Sequence, residues 1–269
     1  MLLENKTAIV YGAAGGIGAG VARTFAREGA RVFLAGRTLK KLEAVADGIT
    51  AAGGRAEVAE VDVLDERAVA EHLAAVVAEA GGVDVTFNAV SHGDEGAGGY
   101  VQGVPMVDLP AQTFAGPVTT AVLTNFITAQ AAARQMVRQG SGVILTLANA
   151  GGRSGPPLMG STGVAAAAIE SFVRYLATEV GPHGVRVLGV RIAGVPDSWG
   201  VQEMHTDVFD SEHGGMDMSG ILQTMADATM LKKTTTLAQV ADLAAFLASD
   251  RNGGMTATLV NLTGGMVAD

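Results

Sequence analysis

Short β-branched runs alternate with longer alanine-rich stretches, and the alternation holds nearly from end to end of the chain. Runs that read as strands fall at Thr7–Tyr11, Arg31–Ala35, Ala56–Val61, Val83–Phe87, Gly142–Leu147, Val185–Arg191 and Thr258–Asn261. Helical patterns separate them, at about 16–28, 39–52, 66–80, 112–138, 163–180 and 237–249. Strands joined through helices pair in parallel, and the crossovers are right-handed. The pattern therefore predicts an α/β fold, a single doubly wound domain with a parallel seven-stranded sheet flanked by helices. At 269 residues, with no repeat or linker, one such domain is expected over 1–269.

Two segments break the rhythm. Ser91–Pro110 is a glycine-rich loop after the fourth strand, and Asp197–Leu231 follows the sixth and is rich in Met, His and Asp. Both leave the carboxyl ends of strands, where open α/β sheets bind ligands. The second is read as a substrate lid. Its His205, His213, Asp207, Asp210 and Asp217 match no metal-ligand spacing, so no metal is expected. Met204, Met216, Met218, Met225 and Met230 suit an adaptable apolar lid.

Composition removes several functions. Net charge is −9 and no stretch is strongly basic, which excludes a nucleic-acid partner that needs neutralised phosphates. The chain has no cysteine, so disulfides and thiolate chemistry are excluded, and a reducing cytoplasm is the expected location. The start, MLLENKTAIV, lacks the layout of a signal peptide, and no apolar run reaches the ~18 residues of a span, so no membrane partner is expected.

The turn after the first strand reads Tyr11-Gly12-Ala13-Ala14-Gly15-Gly16-Ile17-Gly18. Glycines let the backbone bend sharply and approach a phosphate, and the helix that follows offers free N–H groups and a partial positive charge. Gly12, Ala14, Gly16, Ile17 and Gly18 are therefore candidate cofactor-binding residues. The segment LENKTAIVYGAAGGIGAGVARTFAREGARVFLAGR resembles the opening of the short-chain dehydrogenase/reductase family, a Rossmann fold, with Tyr11 in place of the usual Thr. EVGPHGVRV and LAQVADLAAFLASDRNGGMTATLVNLTGGM resemble its later segments.

The resemblance implies a nicotinamide cofactor. At the end of strand two an acidic residue would hold the adenosine ribose of NAD; here stand Gly36 and Arg37. With no carboxylate and a guanidinium present, the site suits the 2′-phosphate of NADP(H). The resemblance also assigns Asp62 and Val63 to the adenine, Asn88 to the cofactor and Asp197, with Ser198, to the carboxamide. Asp62 is alternatively a helix cap.

At the catalytic positions the resemblance fails. The family uses a Ser, a Tyr-x3-Lys pair and an Asn. Tyr transfers the proton, Lys lowers its pKa and holds the nicotinamide ribose, Ser orients the carbonyl and Asn carries a water relay. Ungapped counting puts these at Asn149, Thr162, Ala166 and Ala121. Asn125 lies one helical turn after Ala121 and so on the same face, as a surrogate, a cap or a core amide. No Tyr or Lys occurs from Gly151 to Ser171. Asn149 and Thr162 can still hydrogen-bond a substrate oxygen, and His92 is the titrating residue nearest the expected pocket. The catalytic candidates are therefore His92, Asn149, Thr162 and Asn125.

Three functions follow from these readings. The first is an NADP(H)-dependent oxidoreductase with an altered proton source, acting on a small organic substrate such as an iminium ion. The second is a non-redox cyclase, isomerase or lyase on the same scaffold. The third is a catalytically inactive NADP(H)-binding protein. Ala165–Ala168 on the helix that packs between subunits in the family implies a homodimer or homotetramer.

Overall fold

A computed structural model describes residues 1–90, 104–155, 159–199 and 218–269. The sheet has seven parallel strands in the order β3-β2-β1-β4-β5-β6-β7. They are β1 (Thr7–Tyr11), β2 (Arg31–Gly36), β3 (Arg55–Glu60), β4 (Val85–Asn88), β5 (Gly142–Asn149), β6 (Val185–Ile192) and β7 (Thr258–Leu262). The helices are α1 (Gly16–Arg27), α2 (Leu39–Ala51), α3 (Glu66–Ala80), α4 (Ala111–Gln139), α5 (Thr162–Val180), α6 (Met218–Asp227) and α7 (Leu237–Ala248).

Alternate residues of each strand feed two cores, because successive side chains leave opposite faces of a sheet. Ala8 and Val10 join one core with α1, α2 and α7. Ile9 and Tyr11 join the other with α3, α4 and α5. Burial on both faces explains why the strands read as apolar runs and not as alternating ones.

Helix starts obey local chemistry. The Asp65 carboxylate accepts from the backbone N–H groups of Arg67 and Ala68 and caps α3. Thr236 and Gln239 form a reciprocal capping box at α7. α1 differs, since Gly15 at its cap has no side chain to offer and no acidic residue stands in its first turn.

Strand β4 starts two residues later than the sequence suggests. The Gln139 side chain accepts from Val83 N–H at 3.1 Å and donates to its carbonyl at 2.9 Å, replacing the ladder there. Helix α6, inside the predicted lid, is an element the periodicity does not reveal. Among the described residues, no helix is long and apolar enough to cross a membrane.

The chain order reverses between β1 and β4. β1 runs outward to β2 and β3, and β4 returns on its other side. The loops leaving the carboxyl ends of these two strands separate in opposite directions and open a crevice. Tyr11 and Asn88 pair directly at its lip.

Candidate active site

The crevice is a cleft of about 290 Å³. The glycine turn borders it through Gly15, Gly16 and Ile17, and β4 contributes Asn88. Asn149 comes from β5, and Ser198 and Trp199 from the turn after β6.

The turn is built by close backbone approach. Gly12 sits at φ +76°, and a Cβ there would lie 2.7 Å from the Ala89 carbonyl carbon. A Cβ at Gly18 would lie 2.2 Å from the Gly12 carbonyl oxygen, and one at Gly16 would overlap the Ser198 carbonyl oxygen. Only glycine fits these positions. The first N–H groups of α1 have no intrahelical partner, and neither a cap nor an acid competes for them. This arrangement fits a diphosphate. Ala14 is half-buried against the core and is not among the residues that line the cleft.

Asn88 is fully engaged. Its amide donates to the Thr124 carbonyl at 2.9 Å and the Thr128 hydroxyl at 3.0 Å, while its oxygen accepts from Val90 N–H at 2.9 Å. It ties β4 to α4 and shapes the cleft through its position. Arg37 is exposed directly after Gly36, at the end of β2. Asp62 is exposed and accepts from Leu64 N–H at 3.0 Å; the cap of α3 is Asp65, so the capping alternative for Asp62 does not hold. Val63 is buried beside it.

Asp197 does not line the cleft. Both its carboxylate oxygens accept from Leu237 N–H, at 2.9 Å each, at the start of α7. Acidic groups favour helix N-termini for this reason. The neighbouring Ser198 and Trp199 line the cleft instead. Sequence reasoning missed Trp199, although it is the chain's one tryptophan and stands in a loop leaving a strand end. Met225 of α6 packs against Gly194 beside the Trp199 ring.

Asn149, Thr162 and Ala166 are brought together by glycine. Gly151 and Gly163 meet so closely that a Cβ on Gly163 would lie 2.5 Å from the Gly151 carbonyl oxygen. This draws the turn after β5 onto the first turn of α5. The Asn149 side chain accepts from Gly151 N–H at 2.8 Å and stabilises that turn. Thr162 lines a second, adjoining cavity of about 610 Å³, with Met106, Met159 and Val164 among its walls. Its hydroxyl is buried without a hydrogen-bond partner. Ala166 and Asn125 line the first cleft. His92, like His205 and His213, lies outside the described residues.

Among the described residues lining either cavity, none carries a titratable side chain. A structural ion network stands on α5. Glu170 of α5 accepts from Arg153 and Arg191 at 2.8 Å each, and Arg191 also pairs with Asp269. Burial opposes ionisation of Glu170, but the two guanidinium partners outweigh it and hold the carboxyl below its usual range. The network ties the β5 turn, α5 and β6 together behind the cleft.

A doubly wound sheet with a glycine cradle at its switch point defines a dinucleotide-fold protein. The chain belongs to the short-chain dehydrogenase/reductase family: residues 12–267 match the family described as enoyl-(acyl carrier protein) reductase. Gluconate 5-dehydrogenase of Gluconobacter oxydans is 29% identical, over 70% of each chain. The crystal structure of NAD⁺-bound xylitol dehydrogenase superposes with a TM-score of 0.86 at 27% identity, covering 98% of this chain and 100% of that one. A short-chain dehydrogenase/reductase from Mycobacterium marinum gives 0.82 at 28% identity, covering 99% and 97%.

Proposed function

We propose that the protein is an NADP(H)-dependent oxidoreductase acting on a small organic substrate through an atypical proton source. The observation that carries this reading is the pairing of a preserved glycine cradle with cavity walls that hold no titratable side chain among the described residues. Family membership and the oxidoreductase names of its relatives support the redox class.

Bound NADPH would supply the hydride. The α1 N-terminus with Gly12, Gly16 and Gly18 would hold its diphosphate, and Arg37 would meet the 2′-phosphate that Gly36 leaves room for. Asp62 and Val63 would border the adenine. Asn149 keeps the β5 turn in place, and the Thr162 hydroxyl can donate to a substrate oxygen or nitrogen. A neutral hydroxyl with no cation beside it is a poor acid at neutral pH. The substrate class that suits it needs little protonation, as when hydride reaches the carbon of an iminium ion. We assign any remaining proton step to His92. The same lack of an acid also favours a second reading, a non-redox or inactive NADP(H)-binding protein.

The protein should act as a homodimer or homotetramer. Leu123 and Phe126 on α4 and Val164 and Tyr175 on α5 are exposed apolar side chains that such a contact would cover.

Calorimetry tests the cofactor. NADPH should bind more tightly than NADH, and Arg37→Ala should weaken NADPH about tenfold while sparing NADH, because only NADPH carries the charged partner. Comparable affinity for the two cofactors would overturn the assignment.

A further inference from the structure

Asn125 is 4% exposed on α4 and lines the cleft that also takes in Gly15, Gly16 and Asn149. Its amide orientation is fixed. The Nδ2 group donates to the Ala121 carbonyl at 2.9 Å, and a carbonyl only accepts, so turning the amide over would oppose two acceptors. The Oδ1 atom is therefore the one left over, and it has no partner.

A buried amide oxygen without a donor is costly, and buried polar atoms in folded proteins are nearly always satisfied. Something that donates should complete it. The glycine turn at one end of the cleft claims the diphosphate of a dinucleotide. The walls that come from β5, α4 and α5, with Asn149, Asn125 and Ala166, are left for the nicotinamide riboside half, which carries ribose hydroxyls and a carboxamide NH₂ as donors. Ala166 lines the same cleft from α5 and presents only a methyl group, so it offers no competing donor.

The geometry points to Asn125 Oδ1 as the acceptor for a hydroxyl or amide donor of the nicotinamide riboside half. Asn125 is then a cofactor-positioning residue and not a proton carrier. The inference rests on the dinucleotide reading above.

Two ligands separate the halves of the cofactor: NADPH, and adenosine 2′,5′-bisphosphate, which lacks the nicotinamide riboside. Calorimetry with Asn125→Leu should show NADPH weakened about tenfold, the cost of one buried hydrogen bond, and the bisphosphate unchanged. Asn125→Asp should keep NADPH affinity close to that of the unaltered protein. Burial favours the neutral acid, whose O–H donates to Ala121 and whose carbonyl takes the place of Oδ1.

Unchanged NADPH affinity in Asn125→Leu overturns the inference. Equal weakening of both ligands also overturns it, since the substitution then acts through the fold. If the unaltered protein binds NADH and ADP in place of the phosphorylated pair, the cofactor preference has failed on its own. The same comparison is then made with NADH and ADP. Binding of no dinucleotide at all overturns both readings.

Discussion

The two sides of the crevice are built by opposite means. On the β1–α1 side, backbone meets backbone: Gly12 lies against Ala89, and Gly18 against Gly12. What this side presents is the main-chain N–H groups at the start of α1, which have no intrahelical partner. On the side built by β5, α5 and α4, glycines again draw β5 and α5 together, but small neutral side chains face the cavities, and the Thr162 hydroxyl and the Asn125 Oδ1 have no hydrogen-bond partner. A site made of backbone tolerates almost no substitution, whereas a site made of side chains can be emptied while the scaffold stands.

If that contrast is right, chemistry can be restored on the second side without touching the first. Thr162→Tyr with Ala166→Lys should raise NADPH-dependent ketone reduction by roughly 10²–10⁴-fold, the usual contribution of general acid catalysis. Steady-state rates measure it, and no gain with NADPH still bound would mean that the cavity walls, not the missing acid, limit the reaction.

A buried pair lies between β1 and α3. Tyr11 and His72 meet edge to face with centroids 6.1 Å apart, and neither the Tyr11 hydroxyl nor His72 Nδ1 has a hydrogen-bond partner. Burial pushes the Tyr11 hydroxyl up and His72 down to about 4 from 6.5. Neutral His72 therefore favours the fold above pH 6.5, and the advantage is lost as pH falls from 6.5 to about 4. At roughly 1.4 kcal/mol per unit this is about 3 kcal/mol. Urea melts across that range should show His72→Leu losing less stability than the unaltered chain. Parallel pH curves would show that His72 is solvated in the fold. Glu170 acts the same way lower down, since its depressed carboxyl helps the fold until pH drops below the ordinary carboxylate range.

His92→Gln is the third and smallest change. Wherever the protein proves active, it should lower the rate by roughly 10²-fold and remove one limb of the pH profile. An unchanged rate and profile would take the proton step away from His92.

Much of this was legible in the sequence. Periodicity predicts all seven strands within about two residues because strands buried on both faces leave long apolar runs. The glycine spacing predicts the cradle because only glycine survives a Cβ contact near 2 Å. Side-chain direction was less legible. Asp197 was expected beside the carboxamide, but the N-terminus of α7, forty residues later in sequence, holds its carboxylate. The Glu170 network joins three elements whose neighbours in sequence give no hint of it. Helical spacing puts Asn125 on the face of Ala121, and the structure lines the cleft with it, yet which amide atom is left over depends on the bond to Ala121.

The most direct test of a kept cofactor half and a rebuilt chemical half is stopped-flow absorbance of bound NADPH, mixed in turn with iminium ions, enones and ketones. We expect oxidation of NADPH by an iminium ion and little or none by ketones. Ketone reduction at an ordinary enzymatic rate, on the order of 10 s⁻¹, would contradict the account.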